Sequence, residues 1–79
     1  MRLGKIQKAL LKYLLDCDGE AYITVLTKTH GTAIEGYWLE DLTDSIDRLR
    51  SRRLVHTGPF GRVTIEEAKL QEITEAVAA

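Results

Sequence analysis

Residues 42–73 read LTDSIDRLRSRRLVHTGPFGRVTIEEAKLQEI, and the fold turns on how this stretch is divided. Its first part is helical: Leu42, Ile46 and Leu49 recur at spacings of three and four, the period that lines one face of an α-helix. Working back along that stripe, Trp38 or Leu39 opens it, so a helix is predicted over residues 37–52. The middle part changes period. Leu54-Val55-His56-Thr57 and Arg62-Val63-Thr64-Ile65 read as two short strands. Gly58-Pro59-Phe60-Gly61 supplies the residues a tight reversal needs, so 53–65 is predicted as a hairpin. The last part returns to helical spacing, with Leu70, Ile73 and Val77 on one stripe, and a helix is predicted over 65–77. Thr64 followed by Glu67 fits a capping box for its start, and Glu66 and Glu67 lie where the helix dipole favours acid.

Outward from this stretch, residues 3–15 form an amphipathic helix. Leu3, Ile6, Leu10, Tyr13 and Leu14 share one side, and Lys5, Lys8 and Lys12 another. Asp16-Cys17-Asp18-Gly19 stops it in a turn. Residues 21–30, AYITVLTKTH, are ambiguous. Their β-branched content favours a strand, while Ile23, Leu26 and His30 also fit a short helix stopped by Gly31. The preferred division is a very short strand at Ala21–Tyr22, then a helix over 23–30, with residues 31–36 as a connection.

The chain of 79 residues is expected to form a single domain over 1–79. Its hydrophobic fraction of 44% and charged fraction of 29% are those of a folded protein rather than a disordered one. One cysteine, Cys17, excludes an internal disulfide and a cysteine-rich zinc site, which suits a reducing, cytoplasmic setting. Apolar runs are too short to span a membrane. A two-stranded hairpin is marginal alone in water, so the hairpin must pack on the helices in one cooperative unit.

The order helix, short strand, helix, helix, hairpin, helix resembles the winged helix, a helix-turn-helix with an appended β-hairpin. The stretch quoted above resembles the recognition helix and wing of small transcription regulators of the MarR, ArsR and PadR type. The resemblance covers most of the chain as a pattern of elements and residues 42–73 as sequence. It implies an α+β class, with three helices, a two- or three-stranded β-wing and a C-terminal helix. It resolves residues 23–30 as the second helix. It also implies double-stranded DNA as partner, contacted by helix 37–52 and the 58–61 wing; a homodimer is expected separately, because a small domain gains buried area by pairing through its last helix. The pattern departs from those regulators at Arg53, where they commonly place glycine before the Leu-Val pair.

The net charge is only −1, but the charges come in blocks. Arg2, Lys5, Lys8 and Lys12 stand without an acid in residues 1–15, and Glu35, Glu40, Asp41, Asp44 and Asp47 without a base in 35–47. From Arg48 to Ile65 there are five arginines and no acid. Arg48, Arg50, Arg52, Arg53 and Arg62 are therefore candidates for phosphate contact, since a guanidinium forks onto phosphate oxygens. The same residues also fit a solvated face, with Asp44–Arg48 and Asp47–Arg50 as intrahelical pairs. Thr43 and Ser45 could donate to phosphates or bases, or bond to their own backbone. The acids from Glu40 to Asp47 oppose a close approach to phosphates, and motivate an alternative in which the acidic face of helix 37–52 docks a protein partner.

The lysine stripe of the first helix is read as its ordinary wet face. His30 and His56 lie apart and match no metal-ligand spacing, and nothing in the sequence supplies a base for Cys17. Gly58-Pro59-Phe60-Gly61 precedes a strand, not a helix, so it is not a phosphate-cradling loop. No catalytic site, metal or cofactor is expected. Phe60 either projects from the turn or folds back over the hairpin. Leu70, Ile73 and Val77 are the candidate dimer contacts.

Overall fold

The computed structural model describes residues 1–23 and 39–79. The expected helix over 23–30 beyond its first residue, the connection at 31–36, Tyr37 and Trp38 lie outside the described residues. Within them the order is helix α1 (Lys5–Asp16), strand β1 (Glu20–Tyr22), helix α2 (Leu39–Ser51), strand β2 (Val55–Thr57), strand β3 (Arg62–Ile65) and helix α3 (Leu70–Ala78). Short 3-10 turns fill Pro59–Gly61 and Glu67–Lys69. This is the α+β architecture of a winged helix, with helices on one side of a small antiparallel sheet.

The three strands lie in the order β1-β3-β2, so the wing hairpin takes up β1 as a third strand. Ala21 pairs with Val63, and Val63 in turn with Thr57; Glu20 and His56 flank Thr64 from opposite sides. Side chains alternate across a strand. Val63 and Ile65 therefore face the core, while Arg62 and Thr64 face outward. The core joins Leu10, Leu11 and Leu14 of α1, Leu42 and Leu49 of α2 and Ile73 of α3 to Ala21, Val55, Val63 and Ile65 of the sheet. Each fully buried leucine or isoleucine contributes about 1.5–3 kcal/mol relative to an exposed one. Leu3, Ile6, Tyr13, Cys17, Ile46 and Val77 close over the edge of this cluster.

Helices α1 and α2 end in the same way. After α1, Gly19 N–H donates to Leu14 O at 2.7 Å and Asp18 N–H to Leu15 O at 3.3 Å. After α2, Leu54 N–H donates to Leu49 O and Arg53 N–H to Arg50 O, both at 3.0 Å. These are Schellman caps, which satisfy carbonyls that a helix end leaves open. The penultimate cap residue must be left-handed, and Asp18 and Arg53 both have φ 60°. Arg53 thus takes up the conformation for which glycine is the usual choice.

Several boundaries differ from the sequence expectation, by one residue at the start of β1 and at the end of α2 and by more elsewhere. The first helix spans 5–16 rather than 3–15, although Leu3 still packs on the core. The predicted capping box of Thr64 and Glu67 does not form, because Thr64 is held in β3 between its two partner strands. Glu66 caps instead, its carboxylate accepting from Ala68 N–H at 3.3 Å. A 3-10 turn therefore precedes α3, which begins at Leu70 rather than at 65.

Candidate nucleic-acid interface

The exposed side of α2 is set by its register. Leu42, Ser45 and Leu49 face inward, which leaves Thr43, Asp44, Asp47, Arg48 and Arg50 outside. Ser45 is only 6% exposed and lies within the buried stripe of α2. Ile73 is fully buried within its own domain. Leu70 is 42% exposed and Val77 is half-buried, so both remain on the surface of α3.

The arginines divide by what holds them. Arg48 Nε lies 3.2 Å from Asp44 Oδ2, and Arg50 Nη2 lies 3.7 Å from Asp47 Oδ1. Both pairs are well exposed, with 68% exposure on each partner of the first. Pairs of this kind are worth a few tenths of a kcal/mol and are easily exchanged. They are the two intrahelical pairs that the spacing along the helix offered. The two acids of the Glu40–Asp47 block whose side chains are described are each matched by an arginine one turn later. Among the described side chains, Asp44 with Arg48 and Asp47 with Arg50 form two ion pairs along the exposed side of α2.

Arg52 Nη1 donates to the neutral amide oxygen of Gln7 at 2.8 Å, so its charge is not cancelled. Arg53 is exposed and has no ion pair among the described residues. Among the described residues, unpaired positive charge therefore gathers where α2 runs into β2. The Gln7 contact also draws the first turn of α1 to this side. Gly4, Lys5, Ile6 and Gln7 border one groove with Asp44, Ser45 and Arg48. Lys5, read from sequence as part of an ordinary wet face, thus stands beside the α2 arginines. Helical spacing showed that Lys5 points away from the core, but not which neighbour it would meet.

On the outer face of the sheet, β3 carries Arg62 and Thr64, and Glu66 follows in the same parity. Arg62 pairs with Glu20 of β1, and His56 of β2 with Glu66. A diagonal ion pair, Arg62–Glu20, and a diagonal hydrogen bond, His56–Glu66, thus flank Thr64. Glu66 is held below the usual carboxylate range, first by the hydrogen bond from His56 and second by the Ala68 N–H. At the wing tip, Phe60 is 84% exposed and does not fold back over the hairpin.

Among the described residues, no cluster of histidine, cysteine and carboxylate side chains could hold a metal ion, and no helix is long and apolar enough to cross a membrane. Cys17 is half-buried beside Tyr13, whose phenol is pushed up mainly by desolvation and then by its hydrogen bond to Cys17. Comparison with family models, with curated proteins and with solved structures finds no match. The winged-helix arrangement rests on the architecture, and no specific regulator family is shown.

Proposed function

We propose that this domain binds double-stranded DNA through α2 and the β2–β3 wing, as a transcriptional regulator working in the cytoplasm. The observation that carries this reading is the state of the arginines. Those of the α2–wing unit are all on the surface, and each ion pair they make is itself solvent-exposed. An exposed carboxylate is a weak competitor for a guanidinium against a phosphodiester, which releases condensed counterions when neutralised. Arg48, Arg50 and Arg62 exchange partners on binding, while Arg52 and Arg53 contribute charge that no acid among the described residues pairs with. Thr43 is exposed on the same helix and is placed to contribute a polar contact. Asp44 and Asp47 limit how deeply α2 enters a groove, so much of the electrostatic attraction falls to the end of α2 and to the wing. A homodimer formed through Leu70 and Val77 of α3 would present two such faces to a palindromic site.

Fluorescence anisotropy with a labelled duplex tests the reading. Arg52→Ala and Arg62→Ala are expected to weaken binding to every sequence by a similar factor, as loss of a phosphate contact does.

The charge row on α2 favours a second reading, a protein-interaction module, because alternating exposed Asp and Arg residues complement another polar helix. Reversing Asp44 and Asp47 to lysine separates the two. DNA binding gains affinity from that change, whereas a partner held by these carboxylates is lost.

A further inference from the structure

We infer that Phe60 is a wedge, inserted by the wing tip into a base step of the bound duplex from the minor-groove side. The inference deepens the DNA-binding reading and rests on it. Phe60 is at φ 62°, ψ 28°, in the left-handed region that a bulky side chain rarely adopts. It is also 84% exposed, the most exposed large hydrophobic among the described residues. Either feature is unfavourable alone, and a ring 84% exposed gains little from packing against the described residues. Glycine or asparagine would serve the backbone of the turn better. Strained and solvent-stranded residues of this kind mark contact sites when the surrounding structure holds them in place. Here the loop is locked from both sides. Gly58 N–H donates to Arg62 O at 2.9 Å, and Arg62 N–H donates to Pro59 O.

Charge and shape select the occupant. Residues 54–65 contain no aspartate or glutamate, so nothing at the tip itself repels phosphates, and the nearest charge along the chain is Arg62. A stable protein interface needs roughly 800 Å² on each partner. A single ring on a two-stranded tip, flanked by Gly58, Pro59 and Gly61, offers a narrow projection instead. That suits a minor groove about 6 Å wide, into which architectural proteins drive phenylalanine and proline between stacked bases.

The test compares a fully paired duplex of about two helical turns with the same duplex carrying one central mismatch, where unstacking costs less. Wild-type protein is expected to bind the mismatched duplex about tenfold more tightly. Phe60→Gly and Phe60→Asn both accept the left-handed backbone. Each is expected to lose that preference while keeping weaker, salt-dependent binding and an equal or higher Tm. A fall in affinity together with a rise in stability is not what a merely structural residue produces. If both variants bind both duplexes as wild type does, the wedge is overturned and the DNA-binding reading stands. If wild-type protein binds neither duplex in a salt-dependent way, the underlying reading fails first. If Phe60→Gly instead changes the sedimentation coefficient of the free protein, Phe60 belongs to a contact between copies, and the wedge is again overturned.

Discussion

Arg53 and Asp18 occupy the same position in two helix caps, and both accept a left-handed backbone to close them. What repays Arg53 is local. Its cap satisfies two carbonyls of α2 and delivers Leu54 into the core, 3% exposed, against the fully buried Leu49. Replacing Arg53 with glycine keeps the cap and removes the steric cost. It is expected to stabilise the fold by about 0.5–1 kcal/mol, seen as a Tm higher by roughly 4 °C. Arg53→Val should do the opposite, because a β-branched residue tolerates positive φ poorly. The unusual arginine was legible in the sequence as a place where the chain departs from the winged-helix pattern. How the chain accommodates it was not, because a cap is decided by backbone angles and by what lies beyond it. Thr64 shows the same limit from the other side. Its spacing to Glu67 is that of a capping box, but strand pairing claims it, and Glu66 takes the role.

The sheet as an element is held on its outer face by two diagonal pairs, Arg62–Glu20 and His56–Glu66. The second joins the wing to the turn that launches α3. Folding lowers the Glu66 carboxyl, so its contribution to stability is present above the ordinary carboxylate range and disappears as pH falls through the lowered value. Glu66→Gln should therefore reduce Tm near neutrality and converge with wild type in acid, in thermal melts taken from pH 7 to pH 3. His56→Ala removes the largest cause of the lowering. It should move the Glu66 side-chain resonance, followed by NMR, back toward the ordinary titration range. The hairpin and its turn were readable from alternation and from Gly-Pro-Phe-Gly. The addition of β1 beside β3 was foreshadowed only by two residues, Ala21 and Tyr22, since a long-range register leaves no local signal.

For the molecule as a whole, the core accounts for the side of α3 that faces inward. Ile73 is fully enclosed by its own domain, whereas Leu70 is 42% exposed. Ile73→Val should cost about 0.5–1.5 kcal/mol and leave the oligomeric state unchanged. Leu70→Glu should leave stability nearly unchanged and shift a dimer toward monomer in sedimentation equilibrium. The general plan of helices and wing was recoverable from periodicity because α1, α2 and β3 each keep a clean apolar face. The site was recovered less completely. Spacing along α2 located the arginines and both of their ion pairs, but the approach of Lys5 and Gln7 depends on how α1 crosses α2. The burial of Ser45 follows from the actual phase of α2, which a stripe of three leucines and isoleucines defines only loosely.

The central claim is that this α2–wing surface is built to neutralise DNA phosphates, and the salt dependence of duplex binding tests it most directly. With up to five arginines available at about 0.9 counterions each, log Kobs is expected to fall linearly with log salt, with a slope between about −2 and −4.5. Arg52→Ala should make that slope shallower by about one. Binding no stronger than background at about 50 mM salt, or an affinity indifferent to salt, would contradict the claim.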